Sequence, residues 1–403
     1  MSENQPVNPV VPVKTSREEK EKKPWRALIS YWVLGLCNNY GYVVMLTAAN
    51  DLIGETEERK KNVERNCSYM STGAILLADI IPSLLAKLIA PFLPFFVKVR
   101  IALCVGLCAA SFILVACGEN MPTLITGIVA TSMSSGLGEV TCLQYSSFFD
   151  KNVVSAWSSG TGGAGVIGAL SYSILQYIGR KTTLFIMLII PGLMSVAFFI
   201  ILPKPQADEE KLDVQRQVNT EEIERPKESM KKKIRYVPSL FKYMIPFGLV
   251  YFLEYFINQG TFELINFTNT FLDPSDQYRW LQVVYQAGVL ISRSSVNLFH
   301  IKHIWIFAVL QAINVVIFTT EVIFYYCPSF WIIVTLTLWE GLLGGAAYVN
   351  TYYRISYEVP EENKQFSMAI TSFSDSIGIT LAGITAIYAH NAICSLPPPK
   401  MPY

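Results

Sequence analysis

Charge is scarce in this chain. Only 16% of its 403 residues are Asp, Glu, Lys or Arg, against about 25% in soluble domains. That shortage excludes an ordinary soluble fold. Neither sign is in excess: the formal net charge is +1, which leaves nothing to attract nucleic acid. Histidine is limited to His300, His303 and His390, and no Cys-x-x-Cys pair occurs. A zinc site is therefore not expected, nor any other metal or cofactor. No nucleophile can be matched with a base and an orienting partner, which argues against an enzyme. A cleavable signal is also missing. Residues 1–26 are polar, with mixed charge from Lys14 to Arg26, so the first apolar segment is expected to act as a signal anchor. The end, Lys-Met-Pro-Tyr, is no prenylation box.

What the chain has is grease. Hydrophobic residues make up 52% of it. They gather in eleven runs long enough to span a bilayer, which takes about 20 residues. The runs are 27–49, 71–92, 100–118, 121–145, 156–178, 182–202, 241–262, 278–299, 303–326, 329–350 and 365–391. The expected fold is an all-α polytopic membrane protein. Its parts are a cytosolic tail (1–26), a six-helix half (27–202), a linker (203–240), a five-helix half (241–391) and a luminal tail (392–403). The linker is acidic and then basic with no apolar period. It reads as a flexible cytosolic joint and a place for cytosolic partners.

Lys and Arg set the expected orientation. With the N-terminus in the cytosol, 23 of the 32 lie on the cytosolic side and eight opposite, with Lys87 inside a span. Leaving out the linker's ten, the bias is still 13 to eight. The sequons Asn66-Cys67-Ser68 and Asn266-Phe267-Thr268 then fall on the luminal side, so Asn66 and Asn266 are candidate glycosylation sites. Of the eight cysteines, Cys67 and Cys394, with Cys327 less clearly, could meet an oxidising lumen, too few for a disulfide framework.

An internal repeat is visible. Ser135–Tyr145 resembles Glu340–Tyr352, and each is followed by a Ser/Gly-rich span (from Ser158 and from Ser372). Two parallel halves joined by a cytosolic linker is the major-facilitator plan, here without its last helix. Gly160-Thr-Gly-Gly-Ala-Gly165 matches G-x-G-x-x-G, but no strand precedes it and no acid follows at the required distance. Gly160, Ala164 and Gly168, spaced by four, read as a helix-packing stripe.

Ionisable residues inside the spans carry the functional signal. They are Asp79, Lys87, Glu139, Glu254, Glu263, Arg293, Glu340 and Asp375. Each costs about 2.5–3.5 kcal/mol at mid-membrane on insertion scales, so a watery cavity or a partner is required. Asp79 and Lys87 are two turns apart and read as mutual partners. Asp375 lies between Ser374 and Ser376, which can satisfy it locally. Glu254 shares a helix face with Asn258, next to Gln259. A buried carboxyl favours its protonated form, which suits a proton carrier; a permanent salt bridge is the alternative. Arg293 can grip a carboxylate or phosphate through two hydrogen bonds. Asn38 and Asn39 in the first span mirror Glu254 and Asn258 in the seventh.

Long blocks of this chain resemble the battenin family, lysosomal membrane proteins lost in juvenile neuronal ceroid lipofuscinosis. They include Leu34–Asn39, Tyr42–Leu46, Leu76–Ile80, Ser134–Thr141 and Trp157–Gly165. In the second half they include Glu254–Gly260, Gln277–Trp280, Tyr285–Gly288, Ser292–Ser295 and Glu340–Thr351. The resemblance implies an eleven-span transporter of lysosomes and late endosomes. It also implies a link to glycerophosphodiester clearance, lysosomal pH and basic amino-acid transport. The linker departs from the family: Glu209 and Glu210 are present but no dileucine follows. The expected function is export of a small polar solute, proton-coupled, through a path lined by Arg293, Glu254, Asn258, Gln259, Asn38, Asn39, Glu139, Tyr285, Glu340 and Asp375. A non-transporting scaffold acting through the linker is the rival.

Overall fold

An apolar run in lipid must satisfy its own backbone, and a helix does so within one segment. The computed structural model describes residues 25–56, 67, 70–90, 96–146, 149, 152–203, 226–295 and 301–397. Eleven helices of spanning length occur among them. The first half comprises α1 (Trp25–Thr56), α2 (Thr72–Ile89), α3 (Val97–Cys117), α4 (Met121–Ser146), α5 (Asn152–Leu175) and α6 (Arg180–Ile201). The second comprises α7 (Pro226–Phe256), α8 (Pro274–Ser294), α9 (Trp305–Phe324), α10 (Phe330–Glu358) and α11 (Glu361–Cys394). A π-helical turn, Ile257–Thr261, extends α7.

Seven of these helices are apolar enough by length and composition alone to cross a membrane. The other four, α1, α4, α5 and α8, carry the Asn, Ser, Gly and Gln that the interior needs. α1 ends and α10 ends later than the apolar runs, because polar residues continue each helix past the greasy zone. The linker reading needs a correction. Helix α7 starts at Pro226, inside the stretch expected to be flexible, where Pro at the first turn and Lys, Glu and Met beyond it favour helix. Residues 204–225 and Asn66 lie outside the described residues.

Helix pairing repeats between halves. In the first, α1 packs on α5, α4 on α2 and α3; in the second, α7 packs on α11 and α10 on α8. Shifting the numbers by six maps one set on the other, and the repeated stretches fall on α4 with α10 and α5 with α11. The halves meet through α2 against α11 and α5 against α8, two contacts that the same shift exchanges. In the first half α6 packs on α1 and α3. The second half has five helices among the described residues, and α9 packs directly on α7. Leu240, Tyr243 and Val250 meet Ile304, Phe307 and Ala308 there. The outer stripe of α9, Val309, Ile313 and Val316, is exposed, as a lipid-facing side should be.

The α1–α5 contact depends on missing side chains. A Cβ on Gly160 would lie 2.1 Å from the Trp32 carbonyl oxygen, and one on Gly35 2.6 Å from that of Trp157. Ala164 is fully buried, and Gly168 lies against Val43 and Tyr40. Small residues let membrane helices approach this closely. Gly160→Val is expected to force the backbones apart at a cost of about 1–3 kcal/mol or more. The check is folded yield and melting temperature in detergent. Wild-type values would show that the contact is dispensable.

Candidate functional site

α5, α7, α8 and α10 bring their polar residues together around Arg293. Its Nη1 donates to Thr161 Oγ1 of α5 at 3.5 Å, across the boundary between halves. Nη2 donates to the Tyr251 hydroxyl of α7 at 3.2 Å. The guanidinium lies 4.1 Å from the ring centre of Tyr348 on α10, a cation–π geometry. Beneath it, Tyr348 and Tyr352 pack at 4.8 Å, and Phe247 joins Tyr352 to Tyr251. No carboxylate among the described residues forms a salt bridge with Arg293, and its Nε has no partner. A cation on an aromatic floor with an unspent donor can receive an anion.

On the opposing side, Lys87 of α2 pairs with Glu139 of α4 at 2.8 Å. This corrects the expected Asp79–Lys87 pair: Asp79 is fully buried, and neither of its carboxylate oxygens has a hydrogen-bond partner. Helix α4 brings Glu139 to Lys87, whereas Asp79, eight residues before Lys87, stands about 80° round α2 from it. The charge of Asp375, from the second half, bears on Lys87 too. Asp375 accepts from Ser376 at 2.9 Å, the local satisfaction the sequence implied.

The other expected residues sit deeper. Glu254 is 2% exposed and accepts a hydrogen bond from Tyr285 of α8 rather than forming a salt bridge. Glu340 is fully buried in the second half. The π-helical turn turns both Asn258 and Gln259 inward. Gln259 accepts from Tyr278 at 3.0 Å, and Gln282 donates to the Asn258 carbonyl. Asn38 ties α1 to α4 by donating to the Ser135 carbonyl at 3.1 Å, its oxygen occupying the space that a Gly138 side chain would need. Asn39 beside it is half-buried and accepts from Asn38. Asn266 follows α7 in an irregular segment and is half-buried. Arg293, Tyr285 and Glu254 therefore form one group and Lys87, Glu139 and Asp375 another. Asn258, Gln259 and Glu340 lie within the second half.

Polar ties between the halves cluster at the face where α1 ends and α2 begins. Glu263, just past the π-helical turn, accepts from Ser71 Oγ at 2.6 Å and from the Thr72 backbone at 2.8 Å. His390 Nδ1 of α11 lies 2.9 Å from the same carboxylate. Arg279 of α8 binds Asp51 of α1 at 2.6 Å and also its neighbour Asp276. Cys67 and Cys394 form a disulfide across the same boundary. At the opposite face, Arg354 holds Glu358 at 2.7 Å within the second half. Hydrogen bonding from Arg354 and Tyr243 brings the Glu358 carboxyl down to about 2. Sequence reading gave Lys87 the wrong partner, set Cys67 and Cys394 in the lumen without pairing them, and missed Tyr251 and Tyr348. For the tyrosines the available signal was i, i+4 spacing, Tyr251 with Tyr255 and Tyr348 with Tyr352.

Eleven helices in two repeat-related halves, with charged groups where they meet, define the class: a major-facilitator-like membrane transporter fold. Solved structures agree. A bacterial homolog to the human lysosomal transporter Spinster superposes with a TM-score of 0.59 at 15% identity, over 90% of this chain and 82% of that one. A D-xylose–proton symporter gives 0.61 at 11% identity, over 93% and 98%. The CLN3 protein family model matches residues 29–396. Battenin of Canis lupus familiaris is 42% identical over 406 residues, spanning 92% of both chains. The chain belongs to the battenin (CLN3 protein) family and is a multi-pass membrane protein.

Proposed function

We propose that this protein is a transporter of lysosomal and late endosomal membranes that exports a small polar anion or zwitterion. The glycerophosphodiester class fits best. One observation carries the reading: Arg293 sits at the junction of the halves, on a tyrosine floor, with no carboxylate in salt-bridge contact among the described residues. A single phosphate charge matches that single guanidinium. A basic amino acid would instead need the acids Glu139 and Asp375, and Lys87 already occupies Glu139.

The mechanism is alternating access. The halves touch through two helix pairs related by the repeat, so rocking can loosen one mouth as it tightens the other. The ties at Glu263, Arg279 and Cys67 fit a mouth closed towards the lumen. Disulfides persist in oxidising compartments, which supports the N-terminus in the cytosol and the C-terminus in the lumen. A role in lysosomal pH would follow from proton coupling.

Uptake into proteoliposomes under an imposed pH gradient tests this. Labelled glycerophosphocholine should accumulate and labelled arginine should not. Flux that is unchanged by both Arg293→Ala and Glu254→Gln would remove the site assignment. Vesicle flux untouched by Glu254→Gln, with function lost when residues 203–225 are deleted, would favour the scaffold reading.

A further inference from the structure

We propose that the second half contains a binding site for one small hard cation, sodium or a proton, between α7 and α10. The site shares Glu254 with the solute path at Arg293, and it does not depend on which solute moves. Its geometry comes from antiparallel register. Glu254 of α7 lies directly over Gly344 of α10: a Cβ there would be 2.2 Å from Glu254 Oε2. One turn further along α7 is Asn258. One turn back along α10 is Glu340, and Thr337 follows on the same face, at helical spacing. Asn258 lies on the face of α7 that carries Glu254, and Thr337 on the face of α10 that carries Glu340.

Every one of these side chains has something left over. Glu254 Oε2, both Glu340 carboxylate oxygens, both amide atoms of Asn258 and the Thr337 hydroxyl are buried without a hydrogen-bond partner. Glu254 and Asn258 are 2% exposed; Glu340 and Thr337 are fully buried. A buried polar atom left unpaired costs about 1–3 kcal/mol, and a charge costs more. Five of these six atoms are oxygens. Carboxylate, amide and hydroxyl oxygens are the donors hard cations take. Asn258 is independent of the acids: an amide with neither end paired, on the face it shares with Glu254, has no structural job there.

The neighbouring helices supply few competing charges. From α8 come the Tyr285 hydroxyl, which donates to Glu254 Oε1, and Arg293, whose charge reaches Glu254. From α9, Gln311 donates to the Glu340 backbone carbonyl at 3.3 Å and to no part of its carboxylate, and Asn314 donates to Gln311 at 2.7 Å. Glu340 and Glu254 also repel each other. Two carboxylates against one guanidinium leave room for one positive charge. A sodium ion would take the oxygens directly, and a proton would neutralise one acid and donate to the other group.

Thermal unfolding of the purified full-length chain in detergent tests this without any transport step. Sodium chloride is titrated against N-methylglucamine chloride at fixed ionic strength and pH. In parallel, pH is varied without sodium. A ligand that binds the folded state raises the melting temperature saturably. A rise of a few degrees with sodium, absent in Glu340→Gln and reduced in Thr337→Val, supports the sodium form. A sodium-independent melting temperature that falls as pH rises, and flattens in Glu340→Gln, supports the proton form. Without either ligand, Glu340→Gln should melt above the wild type at neutral pH, because it removes an unpaired buried charge. If Glu340→Gln does not fold, Thr337→Val and Asn258→Ala carry the comparison. A wild type that responds to neither ion, or variants that keep the full response, would overturn the site.

Discussion

Arg293→Lys is expected to lower solute flux about a hundredfold, nearly as much as Arg293→Ala. Lysine keeps the charge, so a simple electrostatic role would survive. The geometry asks for more. The guanidinium lies over the Tyr348 ring at 4.1 Å while its two Nη atoms reach Thr161 and Tyr251 on different helices. Lysine's compact ammonium cannot stack and reach two helices together. Removing one member of a buried charge interaction costs about 2–5 kcal/mol. At about 1.4 kcal/mol per tenfold, a hundredfold is about 2.8 kcal/mol, within the lower half of that range. The measurement is initial uptake of labelled glycerophosphocholine into proteoliposomes, normalised to incorporated protein. A lysine variant with half the wild-type rate or more would show that only the charge counts.

The second large effect is expected at Arg279. Its guanidinium is 7% exposed and holds Asp51 and Asp276, on α1 and α8, together. Arg279→Gln leaves two nearly buried acids facing each other. Breaking a buried ion pair by removing one partner costs about 3–5 kcal/mol. Here much of that cost is avoided if the halves separate at this mouth and let water in. The equilibrium should therefore move by about two to three orders of magnitude towards opening on that side. A cysteine introduced at Leu46 reads the change. Leu46 is 5% exposed, and its carbonyl accepts from Tyr278 of the other half. It should resist an impermeant thiol reagent in the wild type and react in Arg279→Gln. Equal labelling in two folded proteins would exclude a gating role.

How much of this the sequence makes legible follows from range. Spans were readable because apolar runs announce themselves: α4 was expected over 121–145 and is Met121–Ser146. The start of α7 was not, since its first turns are basic and polar. Glu254, Arg293 and Asp375 stood out because charge in lipid is costly wherever it occurs. Tyr348 did not stand out. A tyrosine in a membrane helix is ordinary until the fold sets a guanidinium on its face. Lys87 shows the same limit: local spacing suggested Asp79, but Glu139, on another helix, was the partner. Asn258 and Gln259 were legible as polar, yet the π-helical turn that points both inward leaves no mark in periodicity.

The link between Cys67 and Cys394 has a topological result. It joins positions 327 residues apart, so most of the polypeptide becomes a covalent ring. A protease cutting once within 204–225 opens that ring without dividing it. The nicked molecule should migrate as one band on a gel run without thiols and as two fragments once reductant is added. A cut there would then leave the two halves still tethered through the disulfide.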